Sequence, residues 1–322
     1  MDMSNTIEVR INAVTSEALG ILSFELVPTQ AGAQLPAFTA GAHVDVQLPD
    51  GMVRSYSLFN SQNERNRYLI AVVKDAKSRG GSVYMHEKLK AGEVVRISQP
   101  KNNFPLAEGA PKSLFIAGGI GITPLWCMIQ RLQDLGRPWE LYYCVRTREH
   151  AALMPVMQEA GTGGPGKVNF NFDHEPGGKV LDLVPVIAAQ APGTHMYCCG
   201  PLPMIAAFEA ATASRPPEEI HVEYFTAKEA PAASGGFTVV LSKSEKEAFI
   251  PAGKTILDTI LDLGIDTPYS CMEGTCGECV TNVLEGIPDH KDVFLTKQDQ
   301  AANKKMMICC SGSKSARLVL EL

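Results

Sequence analysis

The sequence lacks the features of membrane, secreted and nucleic-acid-binding proteins. No stretch reaches the roughly 18 apolar residues of a membrane span, and residues 1–10 show neither the basic start nor the apolar run of a secretory signal. The formal net charge of -6 provides no basic surface for nucleic acid. We therefore expect a cytoplasmic globular protein with no membrane and no nucleic-acid partner.

The sequence also contains no internal repeat, and its one biased tract, Ala227–Gly236, is rich in Ala, Gly, Ser and Pro. A chain of 322 residues suits two or three domains. Short alternating strands predict an antiparallel β-barrel over 1–105, and buried strands alternating with helices predict an α/β domain with a parallel sheet over 106–226. We expect 227–236 to be a linker and 237–322 to be a third domain.

The nine cysteines are unevenly distributed, since five lie in the last 52 residues. In a reducing cytosol, clustered cysteines more often bind a metal or a cluster than form disulfides. The spacing Cys271-x4-Cys276-x2-Cys279, with a further Cys downstream, is the arrangement in which four thiolates hold a plant-type 2Fe-2S cluster. Gly274 and Gly277 predict a tight loop whose backbone N–H groups point at the cluster sulfurs.

The fourth ligand is either Cys309 or Cys310, because adjacent strand residues point to opposite faces and only one can face the cluster. A structural zinc site is the main alternative, although zinc sites more commonly use two short Cys pairs or Cys–His pairs. We interpret Cys127, Cys144 and Cys198 as core thiols.

Two segments have the composition of a flavin site. Arg54–Leu58 ends a predicted barrel strand and offers a cation for a phosphate, an aromatic ring for stacking and a hydroxyl. In Lys74–Ser82, glycines and a hydroxyl open a helix and predict a phosphate-binding turn. Alone, the second segment is equally compatible with a polar turn between strand and helix.

Two further turns have the composition of a nucleotide site. Ala117–Pro124 follows an apolar strand and precedes a helix, as a dinucleotide-binding turn does, although it is not a GxGxxG. Tyr197–Pro203 ends a later strand and brings Cys199 and Gly200 to the carboxyl edge of the sheet. One such turn is compatible with a structural role alone, whereas two at one edge predict a bound nucleotide.

The choice between NADH and NADPH depends on the ends of the next strands. Arg146 and Arg148 follow the second strand of the sheet, where a cation could bind the 2′-phosphate of NADPH. We interpret them as a solvated pair and expect NADH. Asp173, after the third strand, fits a nucleotide contact and a turn carboxylate equally.

In order and content, these motifs resemble the phthalate dioxygenase reductase family, the FMN and 2Fe-2S reductases of Rieske non-haem iron oxygenases, vanillate O-demethylase reductases among them. The resemblance extends over essentially the whole chain. It implies an FMN-binding barrel, an NAD-binding α/β domain and a C-terminal β-grasp ferredoxin domain. The segments that carry it are Arg54–Leu58, Arg79–Ser82, Ala117–Pro124, Cys198–Pro201, Glu223–Phe225 and the cysteine set.

The resemblance also implies the residues of each site. For FMN they are Arg54, Ser55, Tyr56, Ser57, Val72, Val73, Lys74, Arg79, Gly80, Gly81 and Ser82. For the pyridine nucleotide they are Gly118, Gly119, Gly121, Thr123, Cys199, Gly200 and Pro201, with Phe225 near the flavin face. The residues expected to orient the reacting rings are Ser57, Thr123, Cys199 and Phe225. The cluster ligands implied are Cys271, Cys276, Cys279 and, rather than Cys310, Cys309.

FMN is favoured over FAD because the chain passes quickly from the phosphate turn to Gln99–Phe104, without the extra sequence that would hold an adenosine. The implied activity is electron transfer. NADH gives up electrons in pairs and a 2Fe-2S cluster accepts them singly, so a flavin is needed between them.

The expected protein is the monomeric reductase component of a two-component aromatic-ring dioxygenase or O-demethylase, with a Rieske-type terminal oxygenase as its partner. Two alternatives stay open. One is a reductase that feeds a haem monooxygenase. The other is a non-enzymatic ferredoxin-like carrier fused to a degenerate nucleotide module, which is disfavoured because both sets of glycines are present.

Overall fold

The computed structural model describes residues 6–75, 80–162 and 164–322, and the chain forms two compact units that separate between Glu223 and Tyr224. The first half of the N-terminal unit is a six-stranded sheet. Its strands are β1 (Thr6–Ala18), β2 (Ile21–Pro28), β3 (His43–Gln47), β4 (Val53–Ser57), β5 (Tyr68–Val73) and β6 (Val94–Ser98). They pair in the order β4-β3-β6-β1-β2-β5, and every pair is antiparallel.

The two edge strands of this sheet meet. Leu58, directly after β4, forms a bridge with Ile70 of β5, and the N–H of Phe59 donates to the carbonyl of Leu69 at 3.0 Å. The sheet therefore closes into a barrel, as predicted. Helix α1 (Gly81–Glu87) follows β5, and fully buried side chains such as Phe24 fill the interior.

The second half of the N-terminal unit is a parallel sheet with helical connections, which confirms the predicted α/β fold. The strands are β7 (Lys112–Gly118), β8 (Trp139–Val145), β9 (Gly166–Phe172), β10 (Thr194–Cys199) and β11 (Ile220–Glu223), in the order β11-β10-β7-β8-β9. The helices are α2 (Ile122–Asp134), α3 (Met154–Ala160), α4 (Leu183–Ala188) and α5 (Leu202–Ala211). The order of strands reverses between β7 and β10, and the carboxyl ends of strands at such a point form a ligand-binding crevice.

The C-terminal unit has the predicted β-grasp fold. Its strands are β12 (Phe237–Leu241), β13 (Lys246–Ile250), β14 (Val280–Glu285), β15 (Pro288–Asp289), β16 (Lys305–Met307), β17 (Gly312–Ser313) and β18 (Arg317–Leu320). The main sheet has the order β13-β12-β18-β14-β16, with β12 parallel to β18. Helix α6 (Ile256–Asp262) begins with a capping box between Thr255 and Asp258, and α7 (Lys297–Ala302) precedes β16.

The predicted linker at 227–236 makes specific contacts within the C-terminal unit. The N–H of Ala232 donates to the carbonyl of Cys310 at 2.7 Å, and the carbonyl of Ala233 accepts from the N–H of Gly253 at 2.8 Å. The segment is thus hydrogen-bonded to the domain that follows it, while the boundaries drawn from the sequence stay predictions. Among the described residues, none of the helices has both the length and the apolar character to cross a membrane.

Gly166, at the start of β9, allows the buried Trp139 ring to pack on the strand. A Cβ at this position would lie 2.1 Å from two carbons of that ring. We expect Gly166→Ala to lower the free energy of unfolding by about 1–3 kcal/mol, because the ring must move within a filled core. Gly109→Ala is the control, since no atom of the described residues lies within 4 Å of its Cβ position. Equal unfolding midpoints for the two variants in urea would contradict this packing.

Candidate functional site

The two segments predicted to bind the flavin phosphate meet in the N-terminal unit. Gly81 begins α1, and a Cβ placed on it would lie 2.6 Å from Nε and 2.8 Å from Cγ of Arg54 on β4. Arg54 therefore packs directly on the backbone of the Gly80–Ser82 turn, which a residue with a Cβ would prevent. A guanidinium beside a glycine turn is a suitable surface for a phosphate group.

Ser55 lies on the opposite face of β4 from Arg54 and Tyr56, because side chains alternate along a strand. Its hydroxyl donates to Oδ1 of the buried Asp45 at 2.5 Å, and Nζ of Lys101 lies 3.0 Å from Oδ2 of the same carboxylate. The Ser55 hydroxyl is thus engaged in a buried ion-pair network, which the motif did not indicate. Its predicted contact with the flavin stays a prediction.

Tyr56 is held as a neutral phenol. Burial raises its pKa to about 12, and the nearby charge of Arg54 opposes that rise. The side chain therefore offers an O–H donor at neutral pH.

The remaining predicted flavin residues lie around the same turn and the two strands beside it. Ser57 and Val72 are buried and Val73 is exposed. Lys74 pairs with Glu87 at 3.0 Å, and Ser82 Oγ accepts the N–H of Asp75 at 3.2 Å. Arg79 lies outside the described residues.

The two nucleotide turns face each other where the strand order reverses. A Cβ on Gly118, at the end of β7, would lie 2.5 Å from Cδ of Pro201 and 3.1 Å from Cα of Gly200. A Cβ on Gly121 would lie 2.2 Å from the carbonyl oxygen of Cys199. Both turns depend on the absence of side chains, so their backbones come close together and a ligand can approach them.

Other residues predicted for this site have side chains with defined positions. Gly119 has a φ of +53°, and the buried Thr123 donates its hydroxyl to the carbonyl of Ile120 at 3.0 Å. Phe225 follows β11 and belongs to the unit that begins at Tyr224, and 37% of its surface is exposed. The roles predicted for Thr123 and Phe225 in orienting the reacting rings stay predictions.

Glu223 is a candidate site residue to which the sequence assigned no role, although it begins one of the segments that carry the resemblance. It ends β11 directly opposite Cys199 on β10, and its Oε2 is buried with no hydrogen-bond partner among the described residues. Burial raises the pKa of this carboxyl to about 8, and it raises that of the Cys199 thiol well above its ordinary value. An acid at the carboxyl end of a sheet strand was the available signal, but only the strand register brings it beside Cys199.

In the C-terminal unit, the four predicted ligand thiols form two pairs. The Cys276 thiol hydrogen-bonds to Cys271, and the Cys279 thiol to Cys309; these bonds lower the pKa of Cys271 and of Cys309. All four are buried. Within the described part of the chain, no three His, Cys, Asp or Glu side chains converge on one point that a single metal ion could occupy. Two thiol pairs match the two irons of a 2Fe-2S cluster, each of which takes two thiolates.

The loop between these ligands has the predicted shape. Gly274 has a φ of +72°, and the backbone N–H groups of Glu273 and Thr275 donate to the Cys271 sulfur at 3.3 and 3.4 Å. Gly277 leaves room for the ring of Phe294, which lies 2.3 Å from its Cβ position. A cluster gains negative charge when it is reduced, and N–H groups that donate to a ligand sulfur stabilise that charge. The residues present therefore fit a 2Fe-2S cluster.

The neighbouring Cys309 and Cys310 differ in their surroundings. Cys309 hydrogen-bonds to both Cys279 and Cys310, so it contacts another predicted ligand directly. The Cys310 sulfur contacts Cys309, lies 2.5 Å from the Cβ position of Gly274 and is 3.9 Å from the Ser311 hydroxyl. This geometry favours Cys309 as the fourth ligand.

Comparisons with known proteins identify two of the domains and the family. The family model described as "2Fe-2S iron-sulfur cluster binding domain" matches residues 239–313, and that described as "Oxidoreductase NAD-binding domain" matches residues 115–210. The chain is 49% identical to the "Phenoxybenzoate dioxygenase subunit beta" of Ectopseudomonas oleovorans, over 98% of this chain and 97% of the relative. It is 47% identical to the "Tetrachlorobenzoquinone reductase" of Sphingobium chlorophenolicum, over 99% of this chain and 98% of the relative.

Among solved structures, phthalate dioxygenase reductase superposes with a TM-score of 0.77 and 37% identity, over 99% of this chain and 98% of that one. This chain belongs to the phthalate dioxygenase reductase family. It is an oxidoreductase with an NAD-binding and a 2Fe-2S domain, and its relatives imply an oxygenase as partner. An intact type IV self-sufficient cytochrome P450 monooxygenase also superposes, with a TM-score of 0.84 and 35% identity, over 98% of this reductase but only 41% of that chain.

The assignment of Cys309 predicts opposite results for two neighbouring substitutions. Cys309→Ser should lose or distort the cluster, because it removes one member of the Cys279–Cys309 pair, whereas Cys310→Ser should keep it. Iron and sulfide content, with the visible spectrum of the purified chain, measures the outcome. A cluster that survives in Cys309→Ser and is lost in Cys310→Ser would move the assignment by one residue.

The raised pKa of Glu223 predicts how its removal changes stability with pH. The folded state keeps the proton up to about pH 8, whereas the unfolded chain releases it near 4.5. The stabilisation is therefore complete below pH 4.5 and is lost as pH rises through 8. Relative to Glu223→Gln, the wild type should lose about 1 kcal/mol or more between pH 5 and 9, since one pKa unit corresponds to roughly 1.4 kcal/mol. Parallel stability curves for the two proteins across that range would be inconsistent with a buried carboxyl.

Proposed function

We propose that this chain is the reductase component of a Rieske-type aromatic-ring oxygenase, passing electrons from NADH through FMN and a 2Fe-2S cluster to the oxygenase. The observation that carries the proposal is that one chain combines the Arg54–Gly81 turn, the Gly118–Gly200 crevice and the two thiol pairs. Identity of 49% to a phenoxybenzoate dioxygenase subunit over almost the whole length supports the same role.

The chain's own residues hold and orient the groups that react. A bound flavin would accept electrons in pairs and release them singly, which joins the nucleotide site to the cluster. Arg54 and the Gly80–Ser82 turn would hold its phosphate, and the Tyr56 phenol would donate a hydrogen bond. The glycines at the ends of β7 and β10 would let the nicotinamide nucleotide approach the sheet edge.

The path of the chain after the phosphate turn supports FMN over FAD. Between β6 and β7 the backbone returns at once to β3, where Lys101 and His43 exchange backbone hydrogen bonds at 2.8 and 2.9 Å. This segment thus completes the barrel, and its residues 99–111, all of them described, form no helix or strand on which an adenosine could rest.

The surroundings of Arg148 support NADH as the donor. Its backbone N–H donates to Oε1 of Glu175 at 2.8 Å, its Nε lies 3.5 Å from Oε2, and its guanidinium lies over the Phe172 ring. Arg148 is therefore already paired with a carboxylate. Asp173 adds a second acid, whose Oδ1 has no partner among the described residues. Two carboxylates would repel a 2′-phosphate but can accept hydrogen bonds from ribose hydroxyls.

The finer features of the assembly belong to the same proposal. A Rieske-type acceptor agrees with the oxygenase relative, and a monomer agrees with the family. None of the nine cysteines, all of which lie in the described residues, forms a disulfide, which agrees with a reducing cytoplasm. A haem monooxygenase is the second candidate acceptor, because the P450 fusion contains a similar reductase portion. A chlorinated quinone is a third candidate, because the relative of that name is 47% identical.

Acceptor-coupled turnover tests the proposal. The purified chain, with full cofactor content, should drive product formation by Rieske-type oxygenases acting on phenoxybenzoate, vanillate or phthalate, and kcat/KM for NADH should exceed that for NADPH by about tenfold or more, a difference of about 1.4 kcal/mol. It should also reduce cytochrome c. The proposal would be contradicted if the chain supported a haem monooxygenase or reduced a quinone but supported no Rieske-type oxygenase. It would also be contradicted if the chain did not oxidise NADH.

A ligand variant separates the two halves of the electron path. In Cys276→Ser, NADH should still bleach the flavin absorption. The variant should fail to reduce the oxygenase, because the substitution breaks one thiol pair. Cys127→Ser is the matched control, since this cysteine is a buried core thiol in α2. Oxygenase turnover that survives in the Cys276 variant would mean that the cluster is not on the path.

A further inference from the structure

The C-terminal unit contains a buried carboxylate, that of Asp292, beside the cluster loop, the segment Cys271–Cys279 that carries three predicted ligands. The Asp292 side chain is 0% exposed. Its Oδ2 accepts the N–H of Leu295 at 2.8 Å, its Oδ1 accepts the Ser311 hydroxyl at 3.4 Å, and Nδ1 of His290 lies 3.6 Å from Oδ1. A buried carboxylate is tolerated only when its oxygens are satisfied in this way. Asp292 therefore holds segment 290–295 and Ser311 in fixed positions.

This segment is pressed against the loop that carries the ligands. A Cβ on Gly274 would lie 3.0 Å from Cα and 3.1 Å from Cβ of Asp292. The N–H of Val293 donates to the carbonyl of Gly274 at 3.1 Å. The residue next to the buried carboxylate thus fixes the orientation of a peptide within the loop.

The peptide so fixed donates to a predicted ligand sulfur. The carbonyl of Gly274 and the N–H of Thr275 belong to the same peptide unit, and that N–H lies 3.4 Å from the Cys271 sulfur. On its other side, the N–H of Gly274 donates to Cys309. Gly274 therefore serves both thiol pairs. A hydrogen bond accepted by a peptide carbonyl polarises the N–H of the same peptide, and this strengthens the hydrogen bond that the N–H donates.

We propose that Asp292 is a positioning residue for the 2Fe-2S centre, which anchors Val293 against Gly274 and so aims the Gly274 and Thr275 N–H groups at the Cys309 and Cys271 sulfurs. Hydrogen bonds to cluster sulfurs stabilise the added electron and raise the reduction potential. Loss of the anchor should therefore make the cluster harder to reduce. The inference rests on the ligand set proposed above.

Two substitutions at this position separate hydrogen bonding from charge. Asp292→Asn and Asp292→Ala both lack the carboxylate charge. Only Asn keeps an oxygen that can accept the N–H of Leu295, with its NH2 group placed to donate to the Ser311 oxygen. Glu247→Gln, which removes an exposed carboxylate on β13 of the same unit, is the control for a distant charge. The full chain is used throughout, with the cluster midpoint potential measured by EPR-monitored titration and the Fe–S(Cys) stretching frequencies by resonance Raman.

The Ala variant should titrate below the Asn variant. The ratio of reduced to oxidised cluster at a fixed potential should fall about three- to tenfold, the upper end being about 59 mV for one electron. Its Fe–S(Cys) frequencies should shift as N–H···S bonds weaken, while Asn stays closer to the wild type. Equal potentials and frequencies for the two variants would overturn the inference.

Where Asp292→Ala fails to retain a cluster, Ser311→Ala decides the question. Ser311 Oγ accepts the N–H of Lys291 at 3.2 Å and donates to Asp292, so its loss loosens the same anchor with no change of charge. A midpoint potential below that of the wild type supports the inference, and an unchanged potential overturns it. Iron content and the EPR signal of the wild type show whether the cluster is present, and the Cys309→Ser and Cys310→Ser variants test the ligand set, so the two failures are distinguishable.

Discussion

Close approach to a glycine backbone is the constraint on which every proposed site depends. At the nucleotide crevice, Gly118 and Gly200 bring the ends of two neighbouring strands so near that a methyl group on either would strike the other turn. At the cluster loop, Gly274 lies against the Asp292 backbone, and its φ is one that residues with a side chain rarely adopt. In both places a ligand would meet exposed backbone, and in the cluster loop the N–H groups of Glu273 and Thr275 are directed at the Cys271 sulfur. Charged side chains play a smaller part in these two places. The exception is Arg54, which packs on a glycine turn of the same kind.

Much of this architecture could be predicted from the sequence, because the signals are local. Alternating strands predicted the barrel, and buried strands between helices predicted the parallel sheet. The Cys-x4-Cys-x2-Cys spacing predicted the cluster loop. The missed features depend on contacts between residues that lie on different strands or loops. Glu223 meets Cys199 only through strand register, Ser55 finds Asp45 across a hairpin, and Asp292 meets Gly274 through a loop. No periodicity or spacing encodes such pairings.

The two thiol pairs help to explain why three kinds of site occur in one chain. Cys271 with Cys276, and Cys279 with Cys309, form two sites of two thiols each, which suits a centre that takes one electron at a time. The Gly118–Gly200 crevice suits a donor that gives two. A flavin site in the same chain resolves that mismatch, and the family to which the chain belongs uses it to supply oxygenases. The same fold superposes on 41% of a self-sufficient cytochrome P450 monooxygenase, so this fold is compatible with more than one kind of acceptor.

Anaerobic addition of NADH to the purified, fully loaded chain, followed together by visible absorption and EPR, tests the central claim most directly. The account predicts that the flavin absorption bleaches and that the signal of a reduced 2Fe-2S cluster then appears in the same molecules. A flavin that bleaches while the cluster stays oxidised, or a chain in which NADH changes neither spectrum, would contradict it.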